Sequence, residues 1–189
     1  MNISSIINEA IGTLQVLEQD AFMHTQIHHA VDKIVIGLAE GGKVMFCGNG
    51  GSAADAQHLA AELSGRFYKN RKALRAEALH INTSYLTAVA NDYSFDVIYE
   101  RLIDGIGDKC DVLIALTTSG HSTNIVKAIE KANEIGIFTL VITGNDGGRA
   151  AHLGKLVLKI PSSNVPRIQE GSMLLGHIIC QMVEDRLFE

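Results

Sequence analysis

The chain has no excess of basic residues: 16 Lys and Arg stand against 21 Asp and Glu, a net charge of -5. Coating a nucleic acid requires a Lys/Arg surplus to neutralise phosphates, so small molecules or proteins are the expected partners. Cysteine is scarce: Cys47, Cys110 and Cys180 are odd in number and show no metal-type or redox CxxC spacing. A disulfide framework is excluded on that count, and reduced thiols in a cytoplasmic protein are expected. No apolar run approaches the roughly 20 residues that cross a bilayer. The start, MNISSIINEAIGTL, lacks the basic region, apolar core and cleavage site of an export signal. A soluble, unprocessed protein without membrane attachment is the expectation. Linkers, low-complexity segments and exact repeats are also missing, and 189 residues with 47% hydrophobic content suit one buried domain, 1–189.

What is present is a regular alternation. From Ile3 to about Leu38 the apolar residues recur at helical spacing with a break near Asp20 to Thr25, which predicts two amphipathic helices ended by the glycine at Gly41. KVMFCG then reads as a short buried strand entering a glycine loop, and the Ala- and Leu-rich AADAQHLAAEL as a helix. Further strands are predicted at 76–81 (AEALHI), within 110–120 (CDVLIALTTSG), at 138–143 and at 155–160, with a helix over STNIVKAIEKANEIG and a long closing helix from RIQE onward. Strands alternating with helices imply right-handed crossovers and a mainly parallel sheet covered on both faces.

Ligands of such sheets bind beyond the carboxyl ends of the strands, and two loops there carry chemistry. In CGNGGSA, Gly48, Gly50 and Gly51 allow close backbone approach around Asn49, and Ser52 stands where a helix begins. That helix start favours an anion through its free amides and partial positive charge. Equally, Ser52 with Asp55 three residues on can be a capping box that needs no ligand. GNGGSA also fits the dinucleotide pattern G-x-G-x-x-G/A, but the next strand ends in His80-Ile81-Asn82 instead of the acidic residue that holds ribose hydroxyls, and no GK[ST] follows the glycines. The second loop, LTTSGHST, sets the hydroxyls of Thr117, Thr118, Ser119 and Ser122 around Gly120, a donor set suited to a phosphate monoester; an ordinary Ser/Thr turn capped by Ser122 is the alternative.

His58 and Glu62 lie four residues apart on the helix after the glycine loop, about 6 Å along its axis. Such a pair can bind one metal ion, place an acid and a base over one substrate, or form a solvated face. In the closing helix Gln169, Glu170 and His177 interrupt an apolar stretch, and His177 also fits a core histidine. Asn91-Asp92, in AVANDYSFD, reads by itself as turn chemistry.

Taken together, CGNGGSAADAQHLAAELSGR, AND, TTSGHS and RIQE with a downstream His resemble the sugar isomerase (SIS) domain, and within it the bacterial phosphoheptose isomerases, over nearly the whole chain. The resemblance implies a flavodoxin-like five-stranded parallel sheet flanked by helices. Residues 1–40 would be N-terminal helices for assembly into a homotetramer, and 41–189 a sugar-phosphate-binding core. By motif, Asn49, Gly50, Gly51, Ser52, Glu62, Arg66, Asn91, Asp92, Thr117, Thr118, Ser119, Ser122 and Gln169 match substrate contacts. Glu62 and His177 match an acid-base pair, and His58, Glu62, Gln169 and His177 match the ligands of one zinc ion. Gln169 and His177 lie eight residues apart, about 12 Å along a straight helix, so Gln169 would sit at or before a distorted helix start or the two long side chains would converge. The family pattern usually has a His where this chain has Ser172, and STSGNS where it has TTSGHS.

The implied reaction is aldose-ketose isomerisation of sedoheptulose 7-phosphate to D-glycero-D-manno-heptose 7-phosphate through an enediol, for lipopolysaccharide heptose. A non-enzymatic SIS protein that binds the replication initiator DnaA is the alternative; it lacks the Glu and final His that stand here at Glu62 and His177. A sugar-phosphate sensor would carry an additional DNA-binding module, for which this chain has no room.

Overall fold

The computed structural model describes residues 2–188. Five strands form one parallel sheet: β1 (Val44–Cys47), β2 (Ala76–Ala78), β3 (Val112–Thr117), β4 (Phe138–Thr143) and β5 (Leu156–Lys159), in the order β2-β1-β3-β4-β5. The sheet and its flanking helices form the flavodoxin-like arrangement. Every residue of β1 and β3 is buried, as a strand covered on both faces requires. Alternate side chains serve opposite faces: Val44, Phe46, Val112 and Ile114 enter one core, and Met45, Cys47, Leu113 and Ala115 the other.

The first core lies under α2 (Ala21–Ala39), α3 (Gly51–Ser64) and α7 (Val165–Leu187), with α1 (Ile3–Gln19) docked on α7. The second lies under α4 (Thr83–Asp92), α5 (Ile98–Ile106) and α6 (Thr123–Ile135). The break between α1 and α2 is tighter than the spacing predicts, a single residue, Asp20, whose carboxylate accepts the Met23 amide as N-cap of α2. The strand predicted at 76–81 is shorter, Ala76–Ala78; Leu79 still donates to Phe46 O on β1, and the chain then turns. Among the described residues no helix is long and apolar enough to cross a membrane. The three cysteines are free, and burial pushes the thiols of Cys47 and Cys180 up to about 12.

The strand order reverses between β1 and β3, the switch point at which this topology binds ligands. The glycine loop follows β1 and the hydroxyl loop follows β3, so both predicted loops open at that crevice.

Candidate active site

The glycine loop enters α3 without a side-chain cap. Gly50 is the N-cap at φ 56, and Ser52 is buried in the first turn. The capping-box alternative is therefore not what forms here, and the first amides of α3 are left for other acceptors. Gly51 lies against the tip of the Gln169 side chain, which a Cβ there would displace. Asn49 and Asn124 exchange amide hydrogen bonds in both directions, each 2.8 Å, which pins the glycine loop to the start of α6. The buried Tyr99 hydroxyl donates to Gly48 O and fixes the same loop from α5. Asn124 and Tyr99 escape sequence reasoning because their partners lie 75 and 51 residues away.

In the second loop Thr117 is buried, and its Oγ1 accepts the Gly120 amide at 3.2 Å. It holds the loop's shape, while Ser119 Oγ accepts from the His121 amide. Ser122 is the N-cap of α6 but makes no side-chain cap bond. Gly120 has φ +68, and a Cβ on it would strike Gly147 O at 1.9 Å, so this loop packs against the one after β4. Beside them Thr118, Ser119, His121, Asn145, Ser162 and Ser163 line part of a cavity of about 240 Å³. His121 is its one basic group and faces Asp146 at 3.7 Å.

The acid-base candidates meet on the seam between α3 and α7. His58 Nε2 lies 3.0 Å from His177 Nε2 and 3.2 Å from Glu62 Oε1. All three offer a ligand atom within 4.8 Å of the others. Imidazole nitrogens and a carboxylate oxygen are zinc-type donors, and donors on a tetrahedral zinc with bonds near 2.0–2.1 Å sit roughly 3.3 Å apart, so the spacing fits one ion. Half of the His58 side chain is exposed, whereas Glu62 is 21% exposed. One turn before His58, the buried Asp55 Oδ2 has no hydrogen-bond partner among the described residues; burial raises its pKa and nearby His58 pulls it back.

The remaining predicted residues lie on α3, α4 and α7 and just past α3. Gln169 lies inside α7, not at a distorted start, and rests its amide on Gly51. Arg66 is exposed just past α3. Asn91 and Asp92 end α4, with Asn91 Nδ2 donating to Asp92 Oδ1 at 2.9 Å. Ser172, where the family pattern has a His, is buried and donates to Ile168 O, so that position faces the core. Arg167 of RIQE donates to Ile6 O and Glu170 and docks α1.

The chain matches known proteins in sequence and in fold. The profile of the SIS domain matches residues 8–144. A phosphoheptose isomerase of Rhodospirillum rubrum is 52% identical over 161 residues, 85% of this chain and 86% of that protein. Another, from Clostridium acetobutylicum, is 44% identical over 186 residues, 98% of this chain and 95% of its own. The solved structure of the phosphoheptose isomerase of Neisseria gonorrhoeae has a TM-score of 0.90 at 36% identity and covers 97% of both chains. The chain belongs to the SIS domain family and, within it, to the phosphoheptose isomerases.

Proposed function

We propose that this protein interconverts sedoheptulose 7-phosphate and D-glycero-D-manno-heptose 7-phosphate through an enediol, supplying heptose for lipopolysaccharide. The observation that carries the reading is the His58–Glu62–His177 cluster on the seam of the helix that leaves the glycine loop. The C1 proton of a ketose is weakly acidic, so a base must remove it and a proton must return at C2. Glu62 and His177 are the two groups assigned to that transfer. A carboxylate and an imidazole perform the same class of reaction in triosephosphate isomerase. The phosphate belongs at the hydroxyl loop, held by Thr117, Thr118, Ser119 and Ser122; Thr118 and Ser119 line its cavity, and Thr117 also shapes the loop. Asn49, Gly50, Gly51, Ser52 and Gln169 border the sugar chain, and Arg66, Asn91 and Asp92 complete the contacts.

We assign a zinc ion to His58, Glu62 and His177, where it would polarise substrate oxygens as a Lewis acid. None of the three lines the hydroxyl-loop cavity, so we place the finished site between subunits of a homotetramer in the cytoplasm, assembled through the N-terminal helices of a single SIS domain.

A coupled isomerase assay tests the reading. Glu62→Gln and His177→Asn should each abolish turnover of sedoheptulose 7-phosphate with unchanged circular dichroism; near-normal turnover in either rejects the assignment. Chelation tests the metal: turnover lost to chelator and restored by zinc supports it, and turnover kept after verified metal removal rejects it.

A further inference from the structure

A single buried carboxylate organises the segment that follows α3. Glu184, on α7, accepts the backbone amides of Phe67 (3.3 Å), Tyr68 (2.8 Å) and Lys69 (2.8 Å), and the Arg71 Nε (2.7 Å). Both side chains of the ion pair are almost fully buried, at 2% and 1% exposure. Arg71 also donates to the carbonyls of Leu63 and Glu62, both at 2.8 Å, and so closes the last turn of α3 at the backbone of Glu62 itself. The segment 67–71 is thus held against α7 on a fixed path.

That path aims one side chain at the cluster. The Phe67 ring stacks on the His177 imidazole with centroids 5.8 Å apart and planes 28° from parallel. On another side His58 meets the same imidazole edge-on, at 5.2 Å and 68°. An imidazole on its Cβ has a broad, roughly two-fold χ2, so nothing intrinsic to His177 directs Nε2 toward His58 and Glu62. A flat ring against one face narrows the planes that the imidazole can adopt, and the His58 edge contact on its other side favours the state that turns Nε2 toward the cluster.

We infer that Phe67 is a positioning residue for His177, and that the Glu184–Arg71 pair is the clamp holding Phe67 in place. The inference rests on the isomerase reading for its kinetic consequence, but the orientation it describes is a property of the protein alone. Misplacement of a reacting group by an ångström can lower the rate about 100-fold. Phe67→Leu keeps an apolar side chain and all of the backbone bonds to Glu184 while removing the flat face. It should lower kcat about 10- to 100-fold with KM and Tm near wild type, and Phe67→Tyr should restore kcat.

The second readout is NMR of the His177 ring protons, assigned by loss of their signals in His177→Asn. Those signals should shift in Phe67→Leu as the ring current disappears and return in Phe67→Tyr. Wild-type kcat in Phe67→Leu, or unmoved His177 signals, overturns the inference. Absence of turnover in the wild-type protein would instead reject the isomerase reading, and the ring signals would still decide the positioning. Glu184→Gln, where it folds, should broaden or move the same signals without touching either ring.

Discussion

Glu184 illustrates how one buried charge can link stability to pH. Burial pushes its pKa up, but the Lys69 amide, the Arg71 guanidinium and the amides of Tyr68 and Phe67 together pull it further down, below the ordinary 4.5. The folded-state value lies below the unfolded one, so its contribution is complete above the unfolded value and lost as pH falls through the folded one. Removing one partner of a buried pair leaves the other uncompensated, at about 3–5 kcal/mol. Glu184→Gln should therefore be destabilised by that amount in urea unfolding at pH 7, with the gap to wild type narrowing as pH falls below 4.5. A gap independent of pH would contradict the clamp. His80 acts in a higher window: burial lowers its pKa from 6.5, so the unfolded chain takes up the proton first and stability falls as pH drops through that value. His80→Asn should remove that slope and leave the one from Glu184. Of these residues the sequence exposes few. The spacing of His58 and Glu62 is visible at once, and His177 stands out as a polar interruption of an apolar helix. Arg71, Glu184, Asn124 and Tyr99 acquire their roles only from partners dozens of residues away, and no local pattern marks them.

The α3–α7 seam that brings the cluster together depends on one missing side chain. A Cβ on Gly176 would lie 2.4 Å from Leu59 Cδ1, and Leu59 is fully buried, next in sequence to His58 as Gly176 is to His177. Overpacking of a filled interior typically costs about 1–3 kcal/mol. Gly176→Ala should lose about that much, separate the two imidazoles, and weaken zinc binding measured by titration against a chromophoric chelator. Gly105→Ala, in α5 where no atom lies within 4 Å of the added Cβ, should instead be stabilised by about 0.5–1 kcal/mol. Equal effects at both positions would remove the seam from the explanation. The element pattern was largely readable: strands buried on both faces show as unbroken apolar runs, and β4 falls on its predicted residues. α4 and α5 were not read, and the reasons are physical. TSYLTAVAND is rich in Thr and Ser, which compete for backbone hydrogen bonds, and IYERLIDGI is only nine residues long with a glycine near its end. Tertiary burial of Val89, Ile98, Tyr99 and Ile103 stabilises both.

At the scale of the whole molecule, the outer face of α1 is apolar. Ile3, Ile7, Ile11 and Leu14 recur along α1 at spacings of three and four, and they are 75%, 52%, 45% and 37% exposed; Phe22, opening α2, is 73% exposed. A stripe of that period on a helix already docked to α7 is what a second helix would cover. Exposed apolar side chains at that spacing are costly in water and are what the proposed homotetramer would bury. The same helix is tied to the active-site helix, because Arg167 of α7 donates to Ile6 O and lies 3.7 Å from Glu9. Assembly through α1 would therefore bear directly on the helix that carries Gln169 and His177. Replacing Ile7 and Ile11 together by Glu puts two charges into the stripe without touching the sheet or the His58–Glu62–His177 cluster. On the proposed homotetramer, light scattering should then fall from about four times the 20.4 kDa of one chain toward that single mass, with helical circular dichroism retained and isomerase turnover reduced. A wild-type protein that is monomeric and fully active would show instead that one chain holds the complete site, and the exposed stripe would need another occupant.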